Sequence, residues 1–112
     1  MSLEKLLKKI NNDKGESLHD LGINEIAFSR KDALELLSSI KNEKLAILGG
    51  DVYVKMNGII KPTYDNWYLN RDNQTWNVYV DESINKAQDY ISHYDPKNVN
   101  VYFTIVVKHC ND

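Results

Sequence analysis

Three histidines, one cysteine and sixteen carboxylates are the side chains of this 112-residue sequence best suited to catalysis or metal binding. Their spacing argues against both. His19, His93 and His109 stand far apart, and no two of them, nor any with Cys110, are set at a metal-ligand interval such as H-x₃-H or C-x₂-C. His109 and Cys110 are adjacent, and neighbours on a strand point to opposite faces. A cysteine nucleophile so near a chain end would also be hard to hold in place. Asp51 and Asp65 flank Asn57-Gly58, so two carboxylates could approach across a hairpin for glycosidase or metal-dependent chemistry. With sixteen acids on so short a chain, chance proximity is the weightier explanation.

The run "AILGGDVYV" interrupts apolar residues with Gly49, Gly50 and Asp51. It lacks the G-x-G-x-x-G spacing of a dinucleotide site, and no Lys-Ser or Lys-Thr follows to make a phosphate loop. No helix is expected to begin after it, so no helix start is available to hold phosphate. Glycine within a strand permits a bulge or a close backbone approach. The motif is therefore expected to be structural, with Asp51 capping the irregular backbone or pointing outward. No catalytic residue, cofactor or metal is expected. The alternative is a small enzyme or nucleic-acid-processing domain built on Asp51 and Asp65.

The elements that must position these residues fit one domain spanning residues 1–112, with 42% hydrophobic residues to fill one core. A lone cysteine suits a reducing compartment. The first residues, "MSLEKLLKKINNDKG", scatter lysines among leucines and so lack a signal peptide's apolar core. No apolar run approaches the roughly 20 residues of a membrane span. A cytoplasmic protein is expected.

Leu3, Leu6, Leu7 and Ile10 make one helical stripe, with Gly15 as its stop. A short extended piece is expected near Ile26–Phe28. A second helix should start after Ser29, whose hydroxyl can accept an orphan amide, and turn a wide apolar face of Ala33, Leu34, Leu36, Leu37 and Ile40 to the core. Residues 45–56 read as a strand, Asn57-Gly58 as a hairpin turn, and Ile59 onward as its return. Pro62 marks that return as an edge or a bulge. "TWNVYV" alternates like a strand, yet Trp76, Val80, Ile84, Ala87, Ile91 and Tyr94 recur at helical spacing over five turns. The longer match predicts a helix from Gln74 to His93, bent near Asp81–Ser83 and stopped by Asp95-Pro96. Residues 99–107 are apolar on both faces and predict a central strand. The expected class is α+β: a small antiparallel sheet of about three strands, order α-α-β-β-α-β, with helices packed on it.

Net charge is −2, which makes no case for nucleic acid. Its distribution is uneven: residues 1–62 balance at +1, residues 63–96 at −4, and the remainder at +1. That acidic middle is either a solvated face or a docking surface for a basic partner. Tyr64, Trp67 and Tyr68 lie close together among acids and amides, a mixture common at protein interfaces.

At "ILGGDVYV", then "YDNWY", then Tyr90-Ile91, the chain resembles the immunity protein 40 family of bacterial polymorphic-toxin systems. The resemblance covers roughly Phe28 to Phe103. It implies a small α+β protein that protects a toxin-producing cell and its kin by binding the toxin domain. No catalytic residue is carried over from it. Under this resemblance the partner is a cognate toxin domain, basic if a nuclease, with neither nucleic acid nor membrane involved. Asp65, Trp67, Asp72, Asp81, Glu82 and Asp89 are the expected toxin contacts.

Overall fold

Each helix begins on a hydroxyl. In the computed structural model, which describes residues 2–97 and 99–110, Ser2 Oγ accepts the Lys5 amide at 3.1 Å, Ser29 Oγ the Asp32 amide at 3.2 Å, and Thr75 Oγ1 the Val78 amide at 3.4 Å. These caps satisfy one orphan donor each and fix the starts of α1 (Leu3–Lys9), α2 (Arg30–Asn42) and α3 (Trp76–His93). The chain order is α1, β1 (Glu16–Ser17), a 3₁₀ turn at His19–Leu21, β2 (Ile26–Ser29), α2, β3 (Ala46–Met56), β4 (Ile59–Tyr68), α3, β5 (Asn100–Phe103) and β6 (Val106–Lys108).

The six strands form one antiparallel sheet ordered β1-β2-β5-β3-β4, with β6 also beside β3. β3 and β4 are joined at Asn57-Gly58, both at positive φ (52° and 78°), as the hairpin dipeptide requires. β4 pairs with β3 alone, so Pro62 sits on an edge strand, where its missing N–H costs little. β5 and β6 share the other edge of β3. β5 pairs Val52 with Phe103 through Lys55 with Asn100, and β6 pairs Ala46 with Lys108.

The three helices cover one face of the sheet. There Leu6, Phe28, Leu36, Ile40, Ile47, Val52, Trp67, Tyr79, Ile91 and Phe103 form the main core. A smaller cluster of Leu18, Ala27 and Tyr53, flanked by Ile23, Ile60 and Tyr102, lies apart from it under the segment between β1 and β2. Arg30, the first residue of α2, donates to the carbonyls of Ile91, Ser92 and Tyr94 at 2.6–3.0 Å and so closes the end of α3. No helix among the described residues is long and apolar enough to cross a membrane.

The α+β class stands, but three strands become six and the order changes. β1 and β6, of two and three residues, are too short for alternation to register. The expected last strand is broken at Thr104–Ile105 into central β5 and edge β6. Helical spacing wins over alternation in "TWNVYV", because its first residue, Thr75, caps α3. α3 also runs unbroken through Asp81–Ser83. α1 ends six residues before Gly15, which instead turns the chain at φ 98° against Ile26 and Phe28.

Candidate partner-binding surface

The Gly49-Gly50-Asp51 motif is where β3 changes neighbours. The Thr104 N–H donates to the Asp51 carbonyl at 3.0 Å, and Thr104 Oγ1 accepts the Asp51 amide at 2.9 Å. Those two bonds carry the chain from β5 to β6 across the middle of β3. On the opposite edge, a β-carbon on Gly49 would fall 2.1 Å from the Trp67 carbonyl, so β4 presses equally close. Glycine at these positions lets the neighbouring backbone approach this closely. Asp51 itself is exposed.

β4 is irregular opposite this point. The β3–β4 register shifts between Asp51 and Tyr53, and Tyr64 adopts φ 69°. Positive φ is uncommon for a bulky residue, so surrounding bonds must impose it. Thr63 Oγ1 supplies them, donating to the Val52 carbonyl at 2.9 Å and accepting the Asp65 amide at 3.0 Å. The kink leaves Tyr64 87% exposed, and Tyr68 four residues on is 64% exposed.

The structure separates the six expected contact residues. Trp67 is buried; its ring stacks on Tyr90 at 4.9 Å between centroids and meets Phe103 edge-on at 6.4 Å. It belongs to the core and offers no face to a partner. Asp65 is exposed and accepts the Tyr94 hydroxyl at 2.6 Å, tying β4 to the end of α3. Burial, reinforced by that carboxylate, pushes the Tyr94 hydroxyl above its ordinary pKa. Asp72 lies exposed in the loop before α3, its amide bound by Gln74 Oε1 at 2.6 Å. Asp81, Glu82 and Asp89 stand on the exposed side of α3. Asp81 meets Lys41 of α2 at 3.6 Å, Glu82 accepts from Gln74 at 3.0 Å, and Asp89 meets His93 at 3.8 Å. All are solvated contacts of the kind worth at most about 1 kcal/mol, so these acids remain open to exchange partners.

Lys86 Nζ reaches the Tyr68 carbonyl at 2.8 Å, so the exposed side of α3 abuts the edge strand β4. Asp65, Asp72, Glu82, Tyr64 and Tyr68 thus flank one seam between α3 and β4. Alternation along β4 was the signal that could have told Trp67 from Tyr68: with Trp67 turned inward, its neighbour must face out. The kink at Tyr64 has no such signature in the sequence.

Asp51 and Asp65 do not meet. Asp51 opposes Asn66 in the ladder, and its charge, after burial, helps raise the pKa of Tyr53 in the smaller cluster. Asp65 turns to Tyr94 instead. Among the described residues no three His, Cys, Asp or Glu side chains are grouped to hold a metal ion.

The model of the immunity protein 40 family matches residues 17–107, most of the chain. The chain belongs to that family. The match extends beyond the motif-bearing stretch at both ends, starting at Ser17 in β1 and taking in most of β6, and leaves α1 outside. Membership of the immunity protein 40 family implies an immunity protein with a toxin as its partner. No curated protein and no solved structure matched the chain.

Proposed function

We propose that this chain neutralises a cognate bacterial toxin domain by binding it stoichiometrically in the cytoplasm, without catalysis of its own. The observation that carries this is the family match, on a chain whose exposed acids gather beside exposed tyrosines. The contact surface is the seam of α3 and β4, with Asp65, Asp72, Glu82, Tyr64 and Tyr68 in place of buried Trp67, extended across the exposed side of α3 by Asp81 and Asp89. Tyrosines supply contact area at low entropic cost, and the acids steer and select a basic partner, as a nuclease domain would be. Docked there, the chain covers the toxin's active site or clamps it shut.

The test is co-purification with the product of the gene immediately upstream, followed by charge reversal of Asp81, Glu82 and Asp89 to lysine. Association should slow by about tenfold or more at low salt, with the difference shrinking as salt screens it. Failure to bind that product, or an unchanged association rate in the folded triple variant, removes the proposed surface. Turnover of a substrate by the purified chain would remove the non-catalytic reading. The enzymatic alternative has lost its carboxylate pair, since Asp51 and Asp65 have different neighbours.

A further inference from the structure

The sheet forks where β5 ends. β5 lies between β2 and β3, whereas β6 lies along the other end of β3 and pairs with no other described strand. Between the free edge of β6 and the start of β2 the fork leaves a cleft of about 720 Å³. Leu3 and Leu7 of α1, Ile26 of β2, and Ile105 and Val107 give it an apolar lining. Glu4, Glu25 and His109 are also part of its wall, and Glu4 has a loose, exposed contact with Lys8 at 3.8 Å.

The orientation of the β6 backbone follows from Ser83. The Ile47 amide donates to Ser83 Oγ on α3 at 2.9 Å, so it does not point at β6. Ile47 stands opposite Val107, and in an antiparallel ladder opposed residues exchange both bonds or neither. Val107 therefore turns its N–H and C=O away from β3, into the cleft.

We propose that an extended segment of the toxin enters this cleft, adds a strand to β6 through the Val107 backbone, and sets a basic side chain against Glu25 and Glu4. This strand addition presupposes the immunity function given above and specifies part of how the toxin is held. Spare backbone groups would give affinity, and alternate apolar side chains would fill the leucine and isoleucine wall. The two glutamates select lysine or arginine by charge. With α1 and β2 flanking the edge, one strand fits where a second folded sheet would have to displace them.

The probe is a capped heptapeptide of alternating valine and threonine with lysine at each end, titrated into ¹⁵N-labelled protein beside a glutamate-ended counterpart. Amide shifts should centre on Val106 to Lys108 and Ile26, hydrogen exchange should slow at Val107, and the lysine peptide should bind about tenfold tighter. Val107→Pro removes the outward amide while sparing the bonds to β3, and should abolish the shifts. Glu25→Lys, at an exposed position, should reverse the peptide preference and keeps the test decisive if the proline variant does not fold. With the co-purified toxin, both variants should dissociate about tenfold faster. Shifts located elsewhere, a chain already dimeric through β6 in sedimentation, or unaltered toxin dissociation in folded variants would overturn the strand addition and leave the immunity function standing. Absence of toxin binding by the unaltered chain would overturn that function itself.

Discussion

A β-carbon on Gly50 would lie 1.9 Å from the carbonyl oxygen of Thr104 and 2.6 Å from the Trp67 ring. The oxygen is backbone and held by the sheet, so it cannot swing aside. Gly50→Ala should therefore cost about 3 kcal/mol or more, at or beyond the top of the usual overpacking range. Gly22 provides the comparison: its φ is 75° but nothing lies within 4 Å, so alanine there should lose only about 1 to 2 kcal/mol. Urea unfolding of both variants checks the difference.

Ser83 is buried and fully used, accepting from Ile47 and donating to the Val80 carbonyl at 3.0 Å. Ser83→Ala would strand the Ile47 amide between α3 and β3. The expected cost is about 1 to 3 kcal/mol, the penalty of one buried unsatisfied donor. It should appear as a lower urea midpoint with an unchanged slope.

Trp67→Ala should destabilise by about 3 to 5 kcal/mol, because it empties the space among Tyr90, Phe103 and Gly50. Trp67→Phe should cost less and keep partner binding intact. A direct role for Trp67 in binding would show instead as lost affinity in a phenylalanine variant of near-normal stability.

Arg30→Ala removes three bonds from a guanidinium to the last carbonyls of α3 and should cost about 2 kcal/mol. Arg30→Lys should recover only part of that, since one ammonium cannot reproduce the fork. Thermal unfolding with hydrogen exchange at Ile91–Tyr94 would show whether α3 frays first.

At high pH the buried tyrosines should drive unfolding. Burial raises the pKa of Tyr79, whose hydroxyl donates to the Leu69 carbonyl at 2.6 Å, and burial likewise raises Tyr53, Tyr90 and Tyr94. A folded pKa above the unfolded value means this stability is whole below about pH 10 and is lost as pH climbs through the folded value. Tyr79→Phe should cost about 1 kcal/mol at neutral pH yet flatten the alkaline limb. A pH series of denaturant midpoints tests both halves.

What the sequence declared and what it hid divide along physical lines. α2 and the β3–β4 hairpin were legible because a cap, a periodicity and an Asn-Gly turn are all local. α3 was legible only by letting six spaced apolar residues outweigh three alternating ones. The break at Thr104–Ile105 was hidden, since it depends on which strand occupies the other edge of β3, and alternation continues across it. For the surface, the helical spacing that buries the core stripe of α3 leaves Asp81, Glu82 and Asp89 exposed. Trp67 was misplaced because residue type suggested an interface while its position on β4 sent it inward.

The place of β5 governs how the molecule can be made. β2 and β3 are not neighbours; they are joined only through a strand that follows α3 in the chain. A nascent polypeptide that has emerged as far as His93 can form its helices, the β1–β2 pair and the β3–β4 hairpin, but no continuous sheet. Completion waits for β5 to thread between β2 and β3, segments synthesised long before it, a demand that slows folding where contacts are distant in sequence.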